Sequence, residues 1–259
     1  MTRYGAKTAT GTRHETNEDS LGEAPRRGVW VVADGMGGHA AGDTASQIVR
    51  DTMLNETASG ASLVQAIEAS HQEVVSCADR DSQKKGMGST IAALEIEHGE
   101  AHVAWVGDSR VYLFRDGELS RLTIDHSYVQ YLLQQGQISA DEVETHPQRN
   151  VLTQTLGFDQ PKPDTAVCEL TQDDWLMVCS DGLTVEVTDA EIAAIMNAAE
   201  SAQQAADGLI AKVVERHGKD DSTAIVIHYE VRSNAWAAVV VGVLAGLLAF
   251  ITAMWVKSS

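Results

Sequence analysis

Short apolar runs and helically spaced apolar positions alternate along the first 230 residues. The continuous runs predict buried strands at residues 29–33, 89–97, 101–106, 175–179 and 223–230. The helical spacing predicts helices at residues 42–57, 62–78, 127–135, 140–144, 189–199 and 202–216. Two further runs flank the turn Arg115-Asp116-Gly117, a pattern typical of a β-hairpin. Strand groups interleaved with pairs of long helices indicate an α+β fold with antiparallel sheets.

The last 25 residues have a different pattern. Residues 235–256 contain no charged side chain, and a helix of this length would measure about 33 Å, enough to cross a hydrocarbon core. Trp236 and Trp255 stand at its two ends, where interfacial aromatic residues belong. A run that is apolar on every face fits a membrane span better than a buried core helix. We therefore expect one C-terminal transmembrane helix at residues 236–256, after a short linker at 232–235.

The surroundings of this span suggest where the protein resides. The N-terminus has no apolar stretch of a secretory signal, and three widely spaced cysteines fit a reducing compartment. The expected location is the cell membrane, with residues 1–231 in the cytoplasm. Gly242 and Gly246 form a GxxxG pattern that would allow weak dimerisation, although glycine is also simply frequent in membrane helices.

Net charge excludes one class of partner. The chain carries 37 acidic and 19 basic residues, a net charge of −18. From Arg232 onward there are two basic residues and no acidic one, so residues 1–231 carry −20. Nucleic acid would be repelled by such a surface. An acidic body is compatible with hard-cation binding, although most of these acids are expected to be solvated surface.

Carboxylates recur at predicted strand ends. Asp34, Asp108 and Asp181 each follow an apolar strand beside a small residue, and Asp220 precedes the last strand. Carboxylates gathered at the ends of buried strands are costly unless a cation lies among them, and all-oxygen ligands favour Mg²⁺ or Mn²⁺. Any one of these residues could instead be an ordinary turn aspartate. Their recurrence weakens that alternative.

Eight stretches, in order along the body, resemble the metal-dependent Ser/Thr protein phosphatases of type 2C in their bacterial form. They are TRHETNEDS (12–20), VVADGMGGHAAGDTAS (31–46), GMGST (86–90), VGDSR (106–110), LTIDHSYV (122–129), RNVLTQTLG (149–157), CSDGL (179–183) and GKDDSTAIVI (218–227). The resemblance implies a sandwich of two antiparallel β-sheets flanked by pairs of α-helices, forming a catalytic domain over residues 1–231. It also implies a mobile flap segment, defined here as residues 127–148.

The resemblance further implies a binuclear Mn²⁺ or Mg²⁺ centre and a third, weaker ion. Seven residues of this sequence match the family's metal positions. Asp34 would bridge two ions, the Gly35 carbonyl would bind one of them, Asp181 and Asp220 would complete the first ion, Glu18 and Asp19 would hold the second, and Asp108 with Asp181 would hold the third. The implied reaction is hydrolysis of phosphoserine or phosphothreonine in phosphorylated proteins by a metal-activated water, reversing a cognate bacterial Ser/Thr kinase.

Three positions depart from the family pattern. The family's phosphate-binding arginine stands three residues before Asn17, where this chain has His14; a one-residue slip makes Arg13 the expected phosphate ligand, with His14 as the alternative. The family's Asp-Asn before the last strand is Asp220-Asp221 here. His39 lies further from the Asp-Gly pair than the family's candidate general acid, so it would act either as an acid or in packing.

A non-enzymatic alternative also fits the sequence. A membrane-anchored pseudophosphatase would bind phosphoproteins or act as a scaffold without hydrolysing them. The displaced arginine favours this reading, whereas the full set of acidic residues argues against it.

Overall fold

A computed structural model describes residues 2–37, 41–143 and 145–230. Eleven β-strands and seven α-helices are found in this part of the chain. The strands are β1 Arg3–Ala9, β2 Asp19–Ala24, β3 Val29–Met36, β4 Gly88–Ser89, β5 Ile91–Glu97, β6 Glu100–Val106, β7 Arg110–Arg115, β8 Glu118–Arg121, β9 Asp164–Glu169, β10 Trp175–Cys179 and β11 Ser222–His228. The helices are α1 Ala41–Ala58, α2 Leu63–Arg80, α3 Tyr128–Gln134, α4 Ala140–Val143, α5 Asp181–Glu186, α6 Asp189–Ala198 and α7 Ala202–Glu215.

The strands form two sheets whose paired strands are all antiparallel. One sheet has the order β1-β11-β10-β7-β8, and the other has the order β2-β3-β5-β6-β9 with β4 paired to β3. Alternate residues of a strand face opposite sides of its sheet. In β3, Trp30 and Val32 pack between the two sheets, whereas Val29 and Val31 pack against α1 and α2. The predicted α+β sandwich of two antiparallel sheets is confirmed.

The outer helix layers follow from amphipathic sequences with defined starts. In α2, the Ser62 side chain accepts a hydrogen bond from the Gln65 backbone amide, and the Gln65 side chain accepts one from the Ser62 backbone amide. Thr188 and Glu191 form the same capping box at the start of α6. These caps satisfy backbone N–H groups that the first turn leaves free, so the helices begin where the sequence predicts.

Several strands were missed by the apolar pattern. β1, β2 and β9 contain many polar, partly exposed residues, and β9 is an edge strand with an alternating exposed face. β3 also runs further than expected, since Asp34 lies inside it rather than beyond its end. The short helix α5 was not predicted either.

The predicted linker, the transmembrane helix at 236–256, and Gly242 and Gly246 lie outside the described residues. Within the described helices, none is both long and apolar enough to span a bilayer. The anchor and the dimer contact therefore stay predictions.

An ion pair outside the site gives a stability prediction. Asp174 is buried, and its carboxylate accepts hydrogen bonds from Arg115 Nε (2.7 Å), Arg115 Nη2 (2.6 Å) and the Thr171 amide (2.6 Å). Burial alone would raise the pKa of Asp174, but these bonds outweigh it and lower that pKa below its ordinary value. Replacing Asp174 with Asn should lower the free energy of unfolding by about 3 kcal/mol, measured by urea denaturation at pH 7.

The same carboxylate fixes the expected pH dependence. Because its folded pKa lies below its unfolded value, the stabilisation is present above about pH 4 and is lost as pH falls through the folded pKa. The difference between D174N and the parent should shrink in that acid range. Asp116→Asn is the matched control, because Asp116 is exposed in the neighbouring hairpin turn. An equally large loss of unfolding free energy in D116N would contradict the stabilising role of the Asp174 ion pair.

Candidate active site

The predicted acidic residues meet at one end of both sheets. In the first sheet, Asp181 lies two residues after the end of β10, and Asp220 precedes β11, the neighbouring antiparallel strand. In the second sheet, Asp19 at the start of β2 stands opposite Asp34 near the end of β3. Antiparallel pairing places the end of one strand beside the start of the next, so residues far apart in sequence become neighbours. Asp108 lies in the turn after β6.

Ser180 joins the two sheets at this end. Its hydroxyl donates a hydrogen bond to Asp19 Oδ2 (2.7 Å) and accepts one from the Thr223 amide (3.0 Å). The other carboxylate oxygen, Asp19 Oδ1, is buried and has no hydrogen-bond partner in the part of the chain that is described. A buried acceptor without a partner is costly and rare. The arrangement leaves this oxygen available for a ligand.

Four of the carboxyl groups are costly to ionise where they lie. Burial, together with repulsion from neighbouring aspartates, raises the pKa of Asp19 to about 7 and of Asp181 to about 6. The same two causes raise the pKa of Asp34 and of Asp108 well above the ordinary value. A hydrogen bond with Asp34 and the charge of a nearby guanidinium partly oppose the shift at Asp181. The site is therefore strongly negative when ionised.

These groups fit a hard divalent cation. The donors are oxygens, one of them an unsatisfied buried carboxylate oxygen, and the mutual repulsion would be relieved by positive charge. Across the described ranges, no group of three or more His, Cys, Asp or Glu side chains is placed to hold a metal ion as it stands.

These raised pKa values determine how the stability of the metal-free protein depends on pH. Since folding raises the pKa of Asp19 and Asp181, the folded state binds more protons than the unfolded state between about pH 4 and pH 7. The metal-free protein should therefore become less stable as pH rises through this window. Saturating Mn²⁺ should reverse the trend, since cations bind the ionised carboxylates. Thermal unfolding at pH 5.5 and 8.0, with chelator or with Mn²⁺, measures both trends. Metal-free stability that rises with pH would contradict the raised pKa values of Asp19 and Asp181.

Glu18 and Gly35 approach the same point near the start of α1. A Cβ atom added at Gly42 would lie 2.6 Å from Glu18 Oε2 and 2.9 Å from the Gly35 carbonyl oxygen. The Gly35 amide also donates a hydrogen bond to the Glu18 carbonyl (3.1 Å). Glycine at position 42 thus leaves room for a carboxylate and a carbonyl to face one space. Both are predicted metal ligands.

Thr90 holds the Asp34 and Asp108 segments together. Its amide donates to the Asp34 carbonyl (2.8 Å), and its hydroxyl lies 3.2 Å from the Asp34 amide nitrogen and 2.7 Å from Ser109 Oγ. Thr90 and Ser109 are both buried. The backbone of one predicted ligand is therefore tied through a hydroxyl pair to the turn that carries another.

His14, rather than Arg13, contacts the acidic cluster. His14 Nδ1 lies 2.8 Å from Asp221 Oδ2, and Nε2 lies 3.8 Å from Asp220 Oδ1. The hydrogen bond to Asp221 raises the pKa of His14, against the opposing effect of burial. The Arg13 side chain is exposed and forms no ion pair within the described part of the chain. Its predicted phosphate contact stays a prediction.

Asp221 organises the loop before β2. Its Oδ1 accepts from the Gly11 amide (2.8 Å), and its Oδ2 accepts from the Glu18 amide (2.7 Å) and faces His14. Asp221 is only 3% exposed. An asparagine could offer one acceptor oxygen in this place, whereas these donors use both oxygens of a carboxylate. The family departures at positions 14 and 221 are therefore in direct contact.

Sequence reasoning left some of the site undetected. His39 lies outside the described residues, so its role stays a prediction. Ser180 and Thr90 cannot be recognised from the sequence, because an isolated serine or threonine gives no signal of a link between segments. The doubled aspartate at 220–221 did mark an unusual position, although its contact with His14 required the fold.

Comparison with known proteins gives a consistent result. The family model "Protein phosphatase 2C" matches residues 9–215. The serine/threonine protein phosphatase PstP of Mycobacterium tuberculosis is 34% identical over 230 residues, which cover 86% of this chain and 44% of PstP. The chain thus spans less than half the length of that relative. The serine/threonine phosphatase stp of Listeria innocua is 34% identical over 235 residues, covering 85% of this chain and 93% of stp.

One similar protein has been solved with metal ions bound. The catalytic domain of serine threonine protein phosphatase PstP, in complex with two manganese ions, superposes with a TM-score of 0.79 and 29% identity. The match covers 88% of this chain and 97% of that one.

Proposed function

The chain belongs to the protein phosphatase 2C family of metal-dependent serine/threonine protein phosphatases, and from this we propose that it hydrolyses phosphoserine and phosphothreonine in proteins. The observation that carries the proposal is the convergence of Asp19, Asp34, Asp108 and Asp181 at one end of the two sheets, where a bound cation would relieve their mutual repulsion. Phosphorylated proteins are the proposed substrates, and a cognate Ser/Thr kinase is the proposed source of the phosphate.

We assign the cation ligands as the family resemblance implies. Asp34 would be shared between two ions, with Gly35, Asp181 and Asp220 on one side and Glu18 and Asp19 on the other. When bound, Mn²⁺ or Mg²⁺ would lower the pKa of a water to make it the nucleophile and would neutralise phosphate charge. Asp108 with Asp181 would hold a third, weaker ion.

The protein's own contribution is mainly positional. Ser180 holds Asp19 from the opposite sheet, and Thr90 holds the backbone of Asp34. Fixed carboxylates need little reorganisation during the reaction, which lowers the barrier to phosphoryl transfer. No nucleophilic side chain is required. Arg13 remains the proposed phosphate ligand, and His39 a proposed proton donor to the leaving oxygen.

Phosphate release from a phosphothreonine peptide tests this function directly. Residues 2–230 form one compact unit, so the chain truncated after Glu230 can be assayed beside the full chain. Chelation should abolish phosphate release, and Mn²⁺ should restore it. Mn²⁺ binding measured by calorimetry, without any turnover across a panel of phosphopeptides, would overturn hydrolysis and favour the pseudophosphatase alternative.

We propose that residues 236–256 anchor the enzyme in the cell membrane, with the catalytic domain in the cytoplasm. The support is the uncharged run and its flanking tryptophans. The full chain should sediment with membranes and resist extraction by high salt and alkaline carbonate, whereas the chain ending at Glu230 should stay in the supernatant. Release of the full chain by carbonate would contradict the anchor. Cross-linking of G242L/G246L against the parent tests the proposed weak dimer.

A further inference from the structure

His126 lies next to the predicted metal site but is not one of the predicted ligands. It is 7% exposed and immediately precedes the flap segment. Both ring nitrogens are engaged: the Gly107 amide donates to Nδ1 (3.2 Å), and Nε2 lies 3.2 Å from Asp164 Oδ2. Because Nδ1 accepts, the ring proton belongs on Nε2 and points to Asp164.

The neighbouring contacts strengthen this link. The His126 amide donates to the Gly107 carbonyl (2.8 Å), so the two residues are joined by a backbone and a side-chain hydrogen bond. Beside them, Arg110 donates from Nε (3.0 Å) and Nη2 (2.7 Å) to the two oxygens of Asp125. The turn that carries Asp108 is therefore fastened on both sides to the two residues that lead into the flap segment.

The start of the flap segment and the residues just after its end are also held together at this point. Ser127 caps α3 and forms a β-bridge with Leu152. The His126 carbonyl accepts a hydrogen bond from the Thr153 amide (2.8 Å), and the Tyr128 amide donates to the Val151 carbonyl (2.8 Å). The base of the flap segment is thus one hydrogen-bonded unit, and His126 is its contact with the Asp108 turn.

We propose that His126 is a positioning residue that couples cation binding at Asp108 to the placement of the flap segment. Its Nδ1 holds the amide of Gly107, the residue before Asp108, and its backbone amide holds the Gly107 carbonyl. A cation held by Asp108 would therefore restrain the flap base, and a displaced flap base would weaken the binding of that cation. This inference rests on the proposed function for its consequence in catalysis. The coupling itself concerns binding and order, and can be measured without turnover.

Two substitutions of His126 separate the roles of its nitrogens. Asparagine places an acceptor oxygen near Nδ1 and can keep the Gly107 bond, whereas glutamine reaches toward Asp164 and loses it. Calorimetric titration with Mn²⁺ should show a weak binding step that is absent in Asp108→Asn. In H126Q, the concentration for half-saturation of that step should rise by about tenfold or more, while H126N should stay within about threefold of the parent.

Hydrogen exchange of the flap segment is the second readout. Mn²⁺ at concentrations that fill the weak step should slow amide exchange in residues 127–148 of the parent and of H126N, but not of H126Q or D108N. His102→Gln is the matched control, because His102 lies half-exposed on the same strand that leads to Gly107 and pairs with Glu100 on its own strand. Asp164→Ala removes the partner of Nε2 without changing the imidazole ring. We expect it to reduce the Mn²⁺-dependent protection of the flap segment less than H126Q does.

The outcomes distinguish the two proposals. Equal behaviour of H126N and H126Q, or a weak step that survives in D108N, would overturn the coupling. Mn²⁺-dependent protection of the flap segment in a protein that hydrolyses no phosphopeptide would sustain the coupling and overturn the proposed enzyme. Metal-free thermal unfolding of each variant separates a loss of coupling from a loss of fold.

Discussion

Asp34→Asn is expected to lower kcat/KM for a phosphothreonine peptide by about 1000-fold. This side chain interacts with four other carboxylates and is the one we assign to both ions, so its charge contributes several kcal/mol to holding cations and stabilising phosphoryl transfer. Asparagine has nearly the same shape, so the defect would come from charge rather than packing. Initial rates over a range of Mn²⁺ concentrations measure it.

The same substitution should have the opposite effect on the metal-free fold. Burial and repulsion raise the pKa of Asp34, which means that its ionised form destabilises the folded protein near neutral pH. A neutral amide removes that repulsion. In the presence of chelator, D34N should therefore unfold at the same or a higher urea concentration than the parent. Activity within tenfold of the parent would contradict the assignment of Asp34 to the cations. A large loss of metal-free stability would show that Asp34 is structural.

Asp221→Ala is expected to weaken Mn²⁺ binding by about 10- to 100-fold and to lower activity in parallel. Asp221 touches no predicted ion, but its carboxylate holds the Glu18 amide, the Gly11 amide and His14. Without it, these donors lose their acceptor and the loop that presents Glu18 is released. The free energy of unfolding should also fall by about 3 kcal/mol. Calorimetry and urea denaturation measure the two effects.

The contact between positions 14 and 221 allows a sharper test. His14→Arg with Asp221→Asn creates the pair that the family pattern contains, and the double variant should be more active than D221N alone, because the arginine and the amide are expected to match each other. Asp79→Ala, an exposed acid on α2, is the control. Strictly additive effects of the two substitutions would show that His14 and Asp221 do not act as a unit.

Much of this architecture could be predicted because its elements carry a clear period. α1 and α2 begin and end within a few residues of the predicted bounds, and β10 has the predicted ones, since apolar residues mark one face or a whole run. β9 could not be found in this way, because it is a polar edge strand whose place depends on pairing with β6. Its stability comes from a partner that local sequence does not encode.

The site was predictable to the same degree. Asp34, Asp108 and Asp181 are recognisable because each follows a run of apolar residues, although Asp34 itself lies inside β3. The contacts that hold them were not recognisable, because Ser180 reaches Asp19 and Asp221 reaches Gly11 across more than 150 residues of sequence. The first contact is set by the packing of one sheet on the other, and the second by the pairing of β1 with β11 within one sheet.

The place of β11 in its sheet bears on when activity can first appear during synthesis. This strand contains nearly the last described residues, yet it lies between β1 and β10, so β1 has no partner until β11 has been made. Asp220 and Asp221 arrive with it, and Asp221 then fastens the loop that follows β1. A nascent chain that has not yet released residues 220–228 from the ribosome therefore lacks both a complete sheet and a complete cation site. Catalytic competence should be acquired in a single late step, after nearly all of the domain has been translated.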